Sequence, residues 1–289
     1  MTAPKALTRA ALKKFPLPPI VDGDKETKGR ILIIAGSREV AGAALLTASA
    51  AMRAGAGKLR MVTVEDLAIP TALAMPEAMV VGLPEARDGG FTRAAVREIG
   101  EQAGHVDAVV AGPGMAQART CPSIAEALLR SSADVVLDAA LLHSLKHADQ
   151  YRRGGRQVPI LLPHSGELSS LLDCEEREID RDPVGCGHRA ADLYGANVLV
   201  KGVTSHVVTP DGRAWTYKGG APGLGVSGSG DALAGIVGGL LARGADSLTA
   251  LLWAVLLHGE AGEVLSRKVG PVGFLAREIA GEIPALLTR

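Results

Sequence analysis

Aromatic side chains are scarce in this chain. Three Phe, three Tyr and two Trp make up 3% of 289 residues, too few for the stacking platforms that hold single-stranded nucleic acid. Charge of one sign is missing as well. The 31 Lys and Arg balance 31 Asp and Glu without a long basic run, which argues against electrostatic binding to nucleic acid or an anionic membrane. The three cysteines, Cys121, Cys174 and Cys186, are far apart and form no CxxC pair. They signal neither a disulfide framework nor a zinc site, Cys186-Gly-His188 reads as packing, and a reducing cytoplasm fits best. The longest apolar stretches, Ala232 to Ala242 and Leu248 to Leu257, fall short of the roughly 18 residues that span a bilayer. The N-terminal MTAPKALTRAALKKFPLPP lacks the apolar centre of a secretory signal. A soluble cytoplasmic protein is expected. No repeat, linker or low-complexity tract divides it, so one domain over 1–289 is expected, with 1–27 as an N-terminal extension of the same unit.

Glycine is abundant: 36 residues, about 12% against an average of roughly 7%. Between the glycines run short apolar segments and helical patterns. Arg30 to Ala35, Lys58 to Val64, Asp107 to Ala111, Asp134 to Leu137, Val158 to Leu162 and Asn197 to Lys201 read as buried strands. Helices separate them, such as the Ala-rich stretch from about Gly42 to Ala54, stopped by Gly55 and Gly57. Near-continuous apolar strands alternating with helices predict a mainly parallel sheet covered on both faces. His206 to Thr209 and Arg213 to Tyr217, joined by Pro210-Asp211-Gly212, read as a β-hairpin. Two helices follow. In the first, Leu233, Ile236, Val237, Leu240 and Leu241 share one face. Gly235, Gly238 and Gly239 lie inside it at a cost of about 1 kcal/mol each, which implies close packing of another backbone. The second runs from about Ser247 to Leu265.

Parallel sheets bind ligands at the carboxyl ends of their strands. The richest glycine loop there is Pro222-Gly-Leu-Gly-Val-Ser-Gly-Ser-Gly-Asp231, which opens a helix. Free N–H groups of Gly228, Ser229 and Gly230, backed by the helix dipole, suit a phosphate or developing negative charge. Asp231 would repel such an anion. It is either a first-turn cap or a general base that activates a hydroxyl for attack on a phosphoryl group. Gly223 to Gly228 also fits G-x-G-x-x-G, with Asp246 about 20 residues on. The strand-turn context of a dinucleotide fingerprint is absent, as is a Walker A motif. His164-Ser-Gly-Glu167, Asp138 and His258 each have a simpler reading: an exposed helix start, a cap and a packed helical histidine. Arg152-Arg153 reads as a solvated loop.

In order along the chain, KGRILIIAGS at 28–37, GAALLTASAAMRAGAGK at 42–58, AGPGM at 111–115, LPHSGE at 162–167, LVKG at 199–202, APGL at 221–224, SGSGDALAGIVGGLLARG at 227–244 and HGEAGE at 258–263 resemble the NAD(P)H-hydrate dehydratases, a branch of the ribokinase-like superfamily. The resemblance implies a three-layer α/β/α fold with a mainly parallel sheet and the C-terminal hairpin. It implies that ADP or ATP, with Mg²⁺, drives loss of water from NADH or NADPH hydrate. Phosphorylation turns the ring hydroxyl into a better leaving group, with Asp231 as base. Ala43, Gly114, His164 and Asp231 would contact the hydrate. Lys201, Gly202, Val203, Thr204, Ser205 and Gly230 would contact the nucleotide. Glu167 would stand on the metal side, as in related vitamin kinases. A homo-oligomer, often a tetramer in the family, and a separate epimerase protein are also implied. The chain departs from the family pattern at Ala140, where an acid is usual, and at Leu162, Ser165 and Ser229. Alternatives are a vitamin-alcohol kinase of the same superfamily and a catalytically weak nucleotide-binding homologue.

Overall fold

A computed structural model describes residues 3–19, 28–143, 145–150 and 157–288. The Arg152-Arg153 pair lies outside them. The strands are β1 (Lys5–Ala6), β2 (Arg30–Ile34), β3 (Lys58–Val64), β4 (Ala78–Leu83), β5 (Ala108–Ala111), β6 (Asp134–Leu137), β7 (Ile160–Leu161), β8 (Asn197–Val200), β9 (Ser205–Val208) and β10 (Ala214–Tyr217). They form one sheet in the order β1-β10-β9-β8-β7-β6-β5-β2-β3-β4. From β8 to β4 every neighbouring pair is parallel. The β9–β10 hairpin pairs antiparallel to β8 and within itself, and β1 closes that end parallel to β10.

The helices are α1 (Arg9–Leu12), α2 (Gly42–Arg53), α3 (Glu65–Ala74), α4 (Arg93–Ala103), α5 (Cys121–Arg130), α6 (Ser165–Leu172), α7 (Glu176–Arg181), α8 (Pro183–Tyr194), α9 (Ser229–Ala242), α10 (Ser247–Lys268) and α11 (Ala276–Leu287). Alternation along the strands divides the core in two. Ile31, Ile33, Val110 and Val136 face α2, α9, α10 and α11. Leu32, Ile34, Val109 and Val135 face α4, α5, α6 and α8. This is the three-layer α/β/α arrangement with a mainly parallel sheet and a C-terminal hairpin.

The strand expected over Val158 to Leu162 shortens to two residues, because Pro159 and Pro163 have no N–H to give the ladder. A strand not anticipated from the sequence, β4, forms the far edge, and α3 precedes it although Pro70 lies inside that helix. The Leu248 to Leu257 stretch lies in the helix expected from about Ser247 to Leu265, which ends at Lys268. Over its 22 residues α10 is long and apolar enough to cross a membrane, yet 78% of its apolar window is buried inside the protein. The N-terminal segment is tied to this layer: Trp253 Nε1 donates to the Phe15 carbonyl at 2.7 Å, and Arg9 Nε to Glu260 Oε1 at 2.8 Å.

The glycines of α9 have a specific use. A Cβ added at Gly235 would stand 2.2 Å from the Thr47 carbonyl oxygen, and one at Gly239 would stand 2.4 Å from the Ala51 carbonyl oxygen. The α2 and α9 backbones therefore touch, with no room for any side chain between them. Gly235→Leu is expected to cost about 3 kcal/mol or more through overpacking. Gly281→Ala, in α11 with open space around it, is expected to gain about 0.5–1 kcal/mol. Denaturant midpoints check both, and a Gly235→Leu chain as stable as the parent would refute the close approach.

Candidate functional site

The carboxyl ends of β6, β7 and β8 bring together residues distant in sequence. Asp138, after β6, caps a short 3-10 turn by accepting from the Ala139 N–H at 2.9 Å. The same Oδ1 accepts from Lys201 Nζ at 2.8 Å. Lys201 follows β8 and bridges in parallel register to His164, just after β7. Glu167, in the first turn of α6, puts Oε2 3.7 Å from Lys201 Nζ. Burial works against the Lys201 ammonium, but Asp138 and Glu167, with Asp231 beyond them, outweigh it and hold its pKa above the ordinary value. Burial pushes the Asp138 carboxyl up and Lys201 pulls it back.

His164 and Glu167 form a reciprocal capping box. His164 Nδ1 accepts from the Gly166 and Glu167 N–H groups at 3.0 and 3.3 Å, and Glu167 Oε2 accepts from the His164 N–H at 2.8 Å. His164 is exposed, whereas Glu167 is buried, so the expectation of an exposed helix start holds for only one of them. Glu167 Oε2 accepts from the His164 N–H and lies 3.7 Å from Lys201 Nζ, and Oε1 lies 3.5 Å from His164 Nε2. Among the described residues no group of three or more His, Cys, Asp and Glu could hold a metal ion.

The loop before α9 turns at Gly228, whose φ of 89° is a left-handed conformation that glycine adopts without strain. Asp231 sits in the first turn. Of the three N–H groups expected to receive an anion, that of Ser229 is bonded to the Val226 carbonyl at 3.1 Å. Among the described residues nothing accepts from the N–H groups of Gly228, Gly230 or Asp231, as usual for a helix start. The N-cap is Gly228, which has no side chain to accept with, and Asp231 follows it three residues on. Burial pushes its carboxyl up to about 6, Asp138 adds to this, and Lys201 opposes it.

A cleft of about 800 Å³ opens along this edge, between the β8–β9 turn, the loop after β10 and the faces of α9 and α10. Of the expected nucleotide contacts, Lys201, Gly202, Val203, Ser205 and Gly230 line it, with His164 at its rim; Thr204 does not. Ala43 and Gly114 stand elsewhere but together, since a Cβ on Gly114 would come 2.5 Å from Ala43 Cβ. The Gly228–Asp231 turn touches both groups. A Cβ on Gly228 would meet Leu46 of α2 at 2.4 Å, and one on Gly230 would lie 3.7 Å from Lys201 Nζ. The G-x-G-x-x-G stretch has no strand leading into it, and Asp246 caps α10 by accepting from the Thr249 N–H at 3.0 Å.

A family model described as NAD(P)H-hydrate dehydratase matches residues 31–285. The chain belongs to the NAD(P)H-hydrate dehydratase family. It is 44% identical to the ADP-dependent (S)-NAD(P)H-hydrate dehydratase of Xanthomonas campestris, over 100% of this chain and 99% of that one. Bifunctional NAD(P)H-hydrate repair enzymes among its relatives are longer, and the chain spans about half their length. Its structure resembles the ADP/ATP-dependent NAD(P)H-hydrate dehydratase of Bacillus subtilis co-crystallised with ATP and Mg²⁺, with a TM-score of 0.85, 26% identity and coverage of 100% and 99% of the two chains. It shares its fold with a ribokinase-like superfamily protein of Enterococcus faecalis, with a TM-score of 0.81, 22% identity and coverage of 98% and 95%.

Two interactions in this dehydratase-family chain escaped the sequence: the Lys201–Asp138 pair, and the contact of His258 with Ser229 described below. The first could have been sought from topology, since both residues follow strand ends at the same edge of a parallel sheet.

Asp231 also leaves a thermodynamic mark. Its carboxyl is raised from a usual 3.8 to about 6 in the folded chain, so the folded state holds the proton more tightly than the unfolded one. The stability this adds is fully present below pH 3.8 and is lost as pH rises through about 6. Asp231→Asn carries no such loss. Relative to the parent it is expected to gain about 1–2 kcal/mol above pH 6.5, after allowance for partial exposure, and this gain should shrink to nothing toward pH 4. A Tm difference that does not change with pH would refute the raised carboxyl.

Proposed function

We propose that this chain dehydrates NADH or NADPH hydrate at the expense of ADP or ATP. The observation that carries the proposal is Asp231: a carboxyl of raised pKa in the first turn of a helix, beside free N–H groups and directly after Ser229 and Gly230, which line a cleft of about 800 Å³. In this reading the nucleotide lies along Lys201 to Ser205 and Gly230, and the hydrate lies on the Ala43–Gly114 side with His164 at the rim. Asp231 takes the proton of the ring hydroxyl, whose oxygen bonds to the terminal phosphorus as the bond to the remaining nucleotide breaks. The N–H groups of Gly228 and Gly230 stabilise charge on the transferring phosphoryl group. The C–O bond then breaks with phosphate as leaving group, a neighbouring ring proton departs, and the dihydronicotinamide is restored. The net yield is NAD(P)H, inorganic phosphate and the nucleotide shortened by one phosphate.

Mg²⁺ in this scheme arrives on the nucleotide. It binds through one or two carboxylates and substrate phosphates more often than in an all-protein cage, and no step is assigned to it here. The ten-stranded sheet, which runs from Lys5 to Tyr217, supports reading the chain as a single unit, and the balanced composition supports a cytoplasmic setting.

The test supplies hydrated NADH, Mg²⁺ and either ADP or ATP, and follows absorbance at the dihydronicotinamide band together with phosphate release. Both signals should rise together. Phosphate that stays esterified to an alcohol would instead mark a kinase. Asp231→Asn should lower turnover by about 10²–10⁴, with nucleotide affinity nearly intact. Turnover should also rise with pH through about 6 as the Asp231 carboxyl loses its proton. A profile flat from pH 5 to 8 would remove Asp231 from the role of base.

A further inference from the structure

His258 lies inside α10 at the back of the cleft. Its Nε2 is 3.0 Å from Ser229 Oγ and 3.1 Å from the Ser229 carbonyl oxygen. A carbonyl oxygen can only accept, so Nε2 carries a hydrogen. Burial pushes the imidazole down to about 4, against the favourable Ser229 carbonyl, so the ring is neutral and that hydrogen is the only one on its nitrogens. Shared between two oxygens of one residue, it makes both of them acceptors. The hydroxyl hydrogen of Ser229 therefore cannot point back at the ring.

Ser229 itself is buried at the wall of the cleft. Its main-chain N–H is occupied by the Val226 carbonyl, and among the described residues nothing accepts from its hydroxyl. We infer that Ser229 serves the transferring phosphate through its side-chain hydroxyl rather than its main-chain N–H, and that His258 is the positioning residue that turns this hydroxyl toward the cleft. The inference rests on the reading of the cleft as a phosphoryl-transfer site. It assigns the anion hole three donors of two kinds: the N–H groups of Gly228 and Gly230, and one hydroxyl whose rotor is locked by a ring on a different helix.

The test compares Ser229→Ala, His258→Leu, His258→Gln and the double variant Ser229→Ala/His258→Leu, using turnover with ADP and calorimetric binding of ADP and AMP. AMP lacks the phosphate in question. Ser229→Ala and His258→Leu should each lower kcat by about 10–10²-fold, in the range for one lost oxyanion donor, with the KM for hydrate changed by less than about threefold. ADP should bind about five- to tenfold more weakly and AMP as before. The double variant should be no worse than the poorer single one, because the histidine acts only through the hydroxyl. His258→Gln presents an amide N–H at similar reach and should recover most of the loss.

Ser229→Ala with parental kcat and ADP affinity would overturn the inference, as would losses that add in the double variant. Should His258→Leu fail to fold by circular dichroism, the small Ser229→Ala change decides alone. A parent chain that prefers ADP to AMP but leaves the hydrate untouched would sink the dehydratase reading, and the binding arm would still judge Ser229 and His258. A parent with no preference for ADP over AMP overturns the inference itself.

Discussion

At the carboxyl edge of the sheet one ammonium, that of Lys201, faces three carboxylates. Asp138 takes it directly at 2.8 Å, Glu167 stands at 3.7 Å, and Asp231 feels it from further away. One positive charge cannot hold three negative ones in a half-dry site. Glu167 is relieved by a main-chain N–H through its capping box, and Asp138 has both Lys201 and the Ala139 N–H. Asp231 receives least and is left with a carboxyl near 6. Its readiness to take up a proton comes first from burial and then from the charge of Asp138, which Lys201 only partly offsets. Removing Lys201 would raise Asp231 further and leave Asp138 buried without its partner, which is why this lysine is at once a structural and an electrostatic centre.

The same edge explains how an acid can sit where an anion should bind. A helix start with free N–H groups attracts negative charge, and a fixed carboxylate in the first turn repels it. The two requirements are reconciled in time rather than in space. In the proposed reaction Asp231 becomes neutral on accepting a proton, and the transferring group then meets the helix dipole and the N–H donors without opposition.

Much of the architecture could be read from composition and spacing. The apolar runs of β2, β3, β5 and β6 are short, flanked by glycine and separated by helical periods, so their strand character and the parallel sheet follow from local pattern. Gly235, Gly238 and Gly239 announced close packing because glycine inside a helix is otherwise costly. Asp231 was legible as an acid in a glycine-rich turn, with cap and base both open from spacing alone. What stayed hidden is what depends on long-range placement. β4 is an edge strand of modest burial behind a helix containing Pro70, and neither has a clear periodic signature. Lys201 and Asp138 are 63 residues apart, and Ser229 and His258 are 29 apart. No spacing rule connects such pairs before the fold does. The occupied Ser229 N–H, likewise, is a property of one turn's geometry and not of the residue types in it.

The bare contact between α2 and α9 has a mechanical meaning. Backbone on backbone, with a carbonyl where a side chain would otherwise be, these helices cannot slide or hinge against one another. One of them carries Ala43 in its first turn and the other carries Asp231. The floor they form is thus an anvil, fixed before any ligand arrives. The cleft's other lining includes the β8–β9 turn, which carries the fully exposed Val203.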